Sequence, residues 1–331
     1  MKAIVYEGFG TPDILRYQDI EKPTPGDDEV VIKVRAASIN PLDWKLMKGG
    51  PLLVRTLLGL GKPKIRRPGV DVAGEVEAVG RNVTQFKPGD EVFGTCVGAF
   101  AEYATSASVF GMKSALAIKP DSVTFEQAAS APVAALTALQ GLRDKGRIQA
   151  GQKVLINGAA GGVGTFALQM AKLFGAEVTG VCSTANVEMV RSLGADRVVD
   201  YTQNDFTRSG ERYDLFLDCV GNRSLSACRG VLNLKGILVM VGAPAALGLL
   251  PRLAGALVWS WFGTKRMVFF IARMNPKDLT TVGELIATGK VTPVIDRRYE
   301  LSKGSDAFRY MEKGHARGKV VITLECKGLA L

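Results

Sequence analysis

The sequence predicts an α/β protein built from a doubly wound parallel sheet and a second, mostly β domain. Three observations carry that prediction. Short β-rich runs alternate with Gly/Pro punctuation up to about residue 120. The apolar period then turns helical, and a regular strand–helix alternation follows. A β-patterned run at 319–324 closes the chain and is expected to rejoin the first domain. The 331 residues suit about two domains at roughly 150 residues each. The β domain is placed at 1–121 with 292–331, and the parallel domain at 122–291.

In the β domain, strands are expected at 2–6, 29–37, 74–79 and 91–93, separated by turns such as Lys87-Pro88-Gly89-Asp90. Such a pattern reads as a compact, mostly antiparallel barrel. Thr124-Phe125-Glu126-Gln127 has capping-box spacing and opens the apolar run 128–142. Strands are then expected at 153–157, 177–182, 197–201, 215–219 and 237–241. Helices are expected at 162–174, at 185–193 and around 224–232, the first two stopped by Gly175 and Gly194. Strands alternating with helices of this length imply βαβ units.

Composition excludes several classes. With 47% apolar and 22% charged residues the chain is neither disordered nor low-complexity. One histidine, His315, and five scattered cysteines, Cys96, Cys182, Cys219, Cys228 and Cys326, form neither a disulfide framework nor a four-cysteine zinc module. Chemistry without a metal is expected. MKAIVYEGFG reads as a strand, not a signal peptide, so a cytoplasmic location is expected.

The run 153–157 leads directly into Gly158-Ala159-Ala160-Gly161-Gly162-Val163-Gly164 and then a helix. Glycines there let the backbone approach a pyrophosphate, whose charge meets free N–H groups and the helix dipole. As G-x-G-x-x-G it is a variant, with Ala159 at the first position; a tight βα turn without ligand is the alternative. An acid that would bind a ribose 2′-OH is missing after the second strand, which reads Cys182-Ser183-Thr184 and reaches an acid only at Glu188. Hydroxyls there, with Asn186 and Tyr201, leave room for a 2′-phosphate and favour NADPH.

These residues resemble the zinc-independent quinone oxidoreductase branch of the medium-chain dehydrogenase/reductase superfamily over essentially the whole chain. The resemblance rests on Asn40-Pro41-Leu42-Asp43-Trp44, Gly69-Val70-Asp71-Val72-Ala73-Gly74, Lys87-Pro88-Gly89-Asp90, the turn 159–164 and Gly314-His315-Ala316-Arg317-Gly318-Lys319. It implies a Rossmann domain beside a GroES-like β domain. Zinc-dependent members of the superfamily carry Gly-His-Glu where this chain has Gly69-Val70-Asp71, so Val70 replaces a histidine ligand. Only Cys96 lies where a structural zinc would need four cysteines. The resemblance also implies that Gly161, Gly162, Val163 and Gly164 bind the pyrophosphate, with Ser183, Asn186 and Tyr201 near the 2′-phosphate. Asn186 stands where the family often has Lys or Arg, which weakens the phosphate grip. Thr137 matches a threonine near the nicotinamide, Asn40 an active-site asparagine, and Arg317 an arginine that reaches the cofactor.

Hydride transfer is the cofactor's own chemistry, positioned by the protein. Transfer to a quinone, or to the β-carbon of an enone, leaves an oxyanion that Asn40 or Lys45 is expected to stabilise. Asp43 either orients Lys45, takes part in a proton path, or caps the turn after Pro41, and His315 reads as structural. The expected activity is reduction of quinones or related activated carbonyl compounds. An alkenal/enone double-bond reductase and a dinucleotide-binding regulatory protein are the competing readings.

The net charge of +10 is localised. Residues 44–70 hold seven Lys/Arg and no acid, residues 245–275 hold four and no acid, and both are strongly apolar. Nucleic-acid binding explains this poorly, since no basic–aromatic reader motif appears. The stretch 245–262 is expected to form a pocket wall or a dimer contact, with peripheral membrane contact as the alternative and a spanning helix disfavoured. A lipophilic substrate and a homodimer, paired along the apolar run 267–271, are expected. If the two segments hold the protein at anionic membrane, it will sediment with anionic liposomes and not with neutral ones. Equal, negligible binding to both would sink the membrane reading.

Overall fold

The computed structural model describes residues 1–49, 66–107, 114–241 and 264–324. The apolar basic stretches at 50–65 and 245–262, and Cys326, lie outside the described residues. The chain divides into two compact units, one of residues 1–134, 274–289 and 295–331, the other of 135–273 and 290–294. The first boundary falls about a dozen residues beyond 121. The helix Pro276–Ala287, assigned to the parallel domain in the sequence division, belongs to the first unit. Its start is set by Asn275, whose Oδ1 accepts from Asp278 N at 2.8 Å, with Pro276 at the first helical position.

Among its described residues the first unit is built on a seven-stranded sheet. Its order runs Ile295–Glu300, Lys319–Thr323, Val30–Ile39, Asp71–Val79, Glu91–Thr95, Leu116–Ile118, with Tyr103–Thr105 pairing onto Val30–Ile39. All pairings are antiparallel except that of Ile295–Glu300 with Lys319–Thr323. The tail strand Lys319–Thr323 therefore does rejoin the first unit, with Val320 opposite Ile39. Alternating apolar positions bury Ile32, Val34, Val72, Val76, Val92 and Ile322 in one core, closed by Phe100 edge-on to Phe308 at 5.6 Å.

Among its described residues the second unit carries six parallel strands in the order Arg197–Asp200, Glu177–Cys182, Lys153–Asn157, Tyr213–Asp218, Leu232–Met240, Arg266–Phe269. Numbered along the chain this is 3-2-1-4-5-6, the order of doubly wound dinucleotide-binding sheets. Its central strands read as unbroken apolar runs because helices cover both faces of such a sheet. Val154, Leu155 and Ile156 have no exposed surface. Among the described residues Arg266–Phe269 is an edge strand, as expected for the apolar run 267–271.

Two expected helices are subdivided. The run 128–142 becomes Phe125–Ser130, Pro132–Gln140 and a wider turn at Gly141–Lys145. Pro132 has no N–H to continue the first helix and so begins the second. The capping box is formed: Thr124 Oγ1 accepts from Gln127 N at 3.2 Å, and Gln127 Oε1 from Thr124 N at 3.0 Å. The segment 185–193 splits into a tight turn Thr184–Asn186 and the helix Val187–Ser192. No helix among the described residues is long and apolar enough to cross a membrane.

Candidate functional site

In the first unit, strand pairing brings four polar side chains into the apolar interior. Ser38 lies near the end of the strand Val30–Ile39 and Asn40 follows it as the N-cap of the next helix, Asp71 begins the neighbouring strand opposite Ser38, and Lys319 begins the strand on the other side. None is more than 3% exposed. Asp71 Oδ2 accepts from Ser38 Oγ at 3.0 Å, Asn40 Nδ2 at 2.8 Å and Lys319 Nζ at 3.1 Å. Its other oxygen accepts from Val133 N at 3.0 Å, in the first turn of Pro132–Gln140. Lys319 Nζ also donates to Asn40 Oδ1 at 2.7 Å. Buried charges persist only when paired and hydrogen-bonded, and here both are.

Of the three catalytic candidates, Asn40 sits inside this network. Asp43 stands beside it with a different task. Its carboxylate accepts from Asn40 N at 2.8 Å and Gly69 N at 3.1 Å, closing the first turn of the helix Pro41–Lys48. These are the hydrogen bonds of a helix cap. Burial pushes its carboxyl up to about 7; the two backbone donors and Lys319 oppose the shift, and Asp71 adds to it. Lys45 is exposed on the same helix, its ammonium held below the usual lysine value by partial desolvation. Neither Asp71 nor Lys319 was singled out as a site residue from sequence, although both stand in quoted motifs. The available signal was a lysine opening an apolar strand, a residue that a buried position tolerates only with a partner.

Asp43 and Cys96 also line a cavity of about 20 Å³ with Tyr6, Arg67 and Gly69, room for one water. Burial raises the thiols of Cys96, Cys182 (to about 11) and Cys219, so none of these three is poised as a thiolate nucleophile. His315 and Arg317 are exposed after the last helix, where Arg317 N donates to Asp296 Oδ2 at 3.0 Å. Among the described residues, no group of three or more His, Cys, Asp or Glu side chains is arranged to hold a metal.

In the second unit, the turn 158–164 follows the central strand Lys153–Asn157 at the switch point of the sheet, where doubly wound folds bind ligands. Its glycines have separate causes. A Cβ on Gly164 would fall on the Gly158 carbonyl oxygen, so Gly164 is required by packing. Gly158 has φ +83°. A Cβ on Gly161 would meet only Gly158 O at 3.4 Å, an ordinary contact. The protein's own packing therefore gives no reason for glycine at 161; open space over the first-turn amides of Gly162–Leu173 does.

Ser183 and Asn186 lie together past the end of the adjacent strand, Asn186 Nδ2 donating to Ser183 Oγ at 3.0 Å. Asn186 Oδ1 is buried with no partner, an open hydrogen-bonding position that a ligand can fill. Tyr201 N donates to Cys182 O at 3.0 Å, which sets Tyr201 at the same strand end with its ring exposed. Thr137 is half-buried in Pro132–Gln140. An open glycine turn at a helix N-terminus and an unfilled buried acceptor past the adjacent strand are features that suit a dinucleotide.

A 3-2-1-4-5-6 sheet with this turn, on one chain with a mostly antiparallel β unit, defines the two-part architecture of dehydrogenases and reductases. Residues 26–140 match the family described as the alcohol dehydrogenase GroES-like domain, and 193–322 the family described as zinc-binding dehydrogenase. A chloroplastic quinone-oxidoreductase homolog of Spinacia oleracea is 34% identical, over 97% of this chain and 98% of that one. An Arabidopsis thaliana chloroplastic protein named NADPH-dependent alkenal/one oxidoreductase is 35% identical, over 97% of this chain and 79% of that one. The solved quinone oxidoreductase of Coxiella burnetii superposes with a TM-score of 0.86 at 30% identity, covering 98% and 99% of the two chains. The chain belongs to the medium-chain dehydrogenase/reductase superfamily and is an oxidoreductase of it.

Two outcomes follow from this geometry. Gly161→Val will leave the thermal transition within a few degrees of wild type and weaken NADPH at least about 10-fold, whereas Gly164→Ala will cost about 1–3 kcal/mol of stability through overpacking. Undiminished NADPH affinity in Gly161→Val would show the site to be misplaced. The second outcome concerns Asp43. Its folded pKa lies above the unfolded value of 3.8, so its contribution to stability is complete below 3.8 and is lost as pH rises through about 7. Urea unfolding of wild type against Asp43→Asn will show wild type losing ground across that window, by up to about 1.4 kcal/mol per pH unit. A pH-independent difference would mean that Asp43 does not titrate there.

Proposed function

We propose that the protein is a zinc-independent enzyme that transfers a hydride from NADPH to a quinone or a related activated carbonyl acceptor. The observation that carries this reading is the engagement of Asp71. The carboxylate next to Val70, where zinc-dependent relatives place a ligand histidine, accepts four hydrogen bonds, one from a buried lysine. Three of those donors crowd Oδ2, and the Lys319 ammonium 3.1 Å away sets a buried positive charge against any cation at that carboxylate. Without a Lewis acid at that position, the acceptor must already be electrophilic, as quinones and enones are.

When bound, reduced nicotinamide supplies the hydride, that is, two electrons and one proton. The amides of Gly162, Val163 and Gly164 would hold the pyrophosphate, and Ser183, Asn186 and Tyr201 the 2′-phosphate. The resemblance assigns Thr137 to the nicotinamide end and Arg317 to the cofactor. Asn40 would donate to the oxygen on which negative charge develops, and Lys45, exposed and partly desolvated, is the alternative donor. The balance is NADPH plus quinone plus one solvent proton to NADP⁺ plus hydroquinone. A homodimer paired along the edge strand Arg266–Phe269 belongs to the same reading. So does peripheral membrane contact through the basic apolar stretches, which would suit a lipophilic acceptor.

The Arabidopsis relative's name favours alkenal/enone reduction as the second reading. The two readings share the hydride donor and differ in whether a quinone or the β-carbon of an enone receives the hydride. NADPH oxidation will be measured with a naphthoquinone, a phenanthrenequinone and a 2-alkenal, with NADH in parallel. Quinone turnover unaffected by a metal chelator is expected. Turnover of the 2-alkenal alone would establish the second reading. Tight NADPH binding without turnover of any acceptor would instead identify a dinucleotide-binding regulatory protein.

A further inference from the structure

The Asn40 amide is held in a way that leaves no ambiguity about its orientation. An ammonium only donates, so the atom 2.7 Å from Lys319 Nζ is the carbonyl oxygen. A carboxylate only accepts, so the atom 2.8 Å from Asp71 Oδ2 is the amide nitrogen. Both partners are fixed in turn: Lys319 begins one flanking strand, and Asp71, bonded also by Ser38 and Val133, begins the other. Because the amide group is planar, its second N–H then has one fixed direction. That N–H is the one polar group of the Asn40 side chain not engaged by Asp71 or Lys319.

We infer that Lys319 and Asp71 are positioning residues for the reduction: together they lock the Asn40 amide and leave its second N–H as the donor offered to the acceptor oxygen. This rests on the reading that Asn40 meets the acceptor. A buried ion pair is weak evidence for stability, since apolar residues of similar volume often hold strands together as well or better. What this pair does that an apolar pair cannot is orient an amide. A preorganised donor that need not turn at the moment of reaction stabilises developing negative charge far more than a freely flipping one. The Lys319 charge on the carbonyl side also draws electron density from the amide nitrogen, which strengthens the remaining donor.

The test is a double-mutant cycle on Asn40→Ala and Lys319→Met, reading kcat with a naphthoquinone and, separately, the Kd of NADPH by fluorescence titration. If Lys319 acts through Asn40, each single variant will lower kcat on the order of 10-fold or more. The double variant will then be no slower than the slower single variant, because the two residues act as a unit. The Kd of NADPH will stay within about 3-fold of wild type throughout, which a general loss of structure would not allow. Losses that multiply in the double variant, or Lys319→Met at wild-type kcat while Asn40→Ala is impaired, would overturn the inference alone. Asn40→Ala at wild-type kcat would overturn the reading beneath it. If Lys319→Met does not fold, K319M/D71N, which removes both buried charges, replaces it in the cycle and is judged by the same outcomes.

Discussion

The burial of one carboxylate constrains the first unit more than any other single contact. Asp71 has no exposed surface, and a carboxylate taken out of water costs several kcal/mol unless its lone pairs are met. They are met by Ser38, Asn40, Lys319 and Val133, drawn from two neighbouring strands and the start of a helix. Losing any of these donors would leave a buried charge short of a partner. The alignment of three strand ends is therefore tied to one side chain. This is also where the amide of Asn40 takes its orientation, so structural and chemical demands meet at the same atoms.

The second unit separates those demands. In the turn 158–164, Gly164 serves the fold, because a side chain there would collide with the Gly158 backbone. Gly161 serves no packing need and keeps space open above a helix N-terminus. Ser183 and Asn186 then form a pair with one buried acceptor unfilled. An unpartnered atom of that kind costs stability where the protein stands alone.

Much of the fold was legible because its signals are local. The strands Lys153–Asn157 and Glu177–Cys182 have the predicted bounds, since a run buried on both faces has unbroken apolar character. Gly175 and Gly194, at φ +78° and +102°, end their segments where a left-handed residue is needed. Boundaries that depend on packing were not legible. The helix Pro276–Ala287 has a capped start readable in Asn275, yet nothing local says which unit it joins. Asp43 shows the same limit at the site. Its spacing from Asn40 allowed several roles, and only the fold supplies the bonds it accepts from Asn40 N and Gly69 N.

Alone, the sequence determined the two-part architecture, the glycine-rich strand-to-helix turn and the family, because periodicity, glycine spacing and contiguous motifs survive without coordinates. Tertiary structure decided which polar residues share the interior. Asn40, Asp71 and Lys319 are separated by up to 279 positions and meet only through strand register. Lys319 looked like the last residue of a glycine-containing motif. Only the pairing of its strand with Val30–Ile39 makes it the buried cation that neutralises Asp71 and turns the Asn40 amide, because register is set by pairing across the sheet rather than by neighbours along the chain.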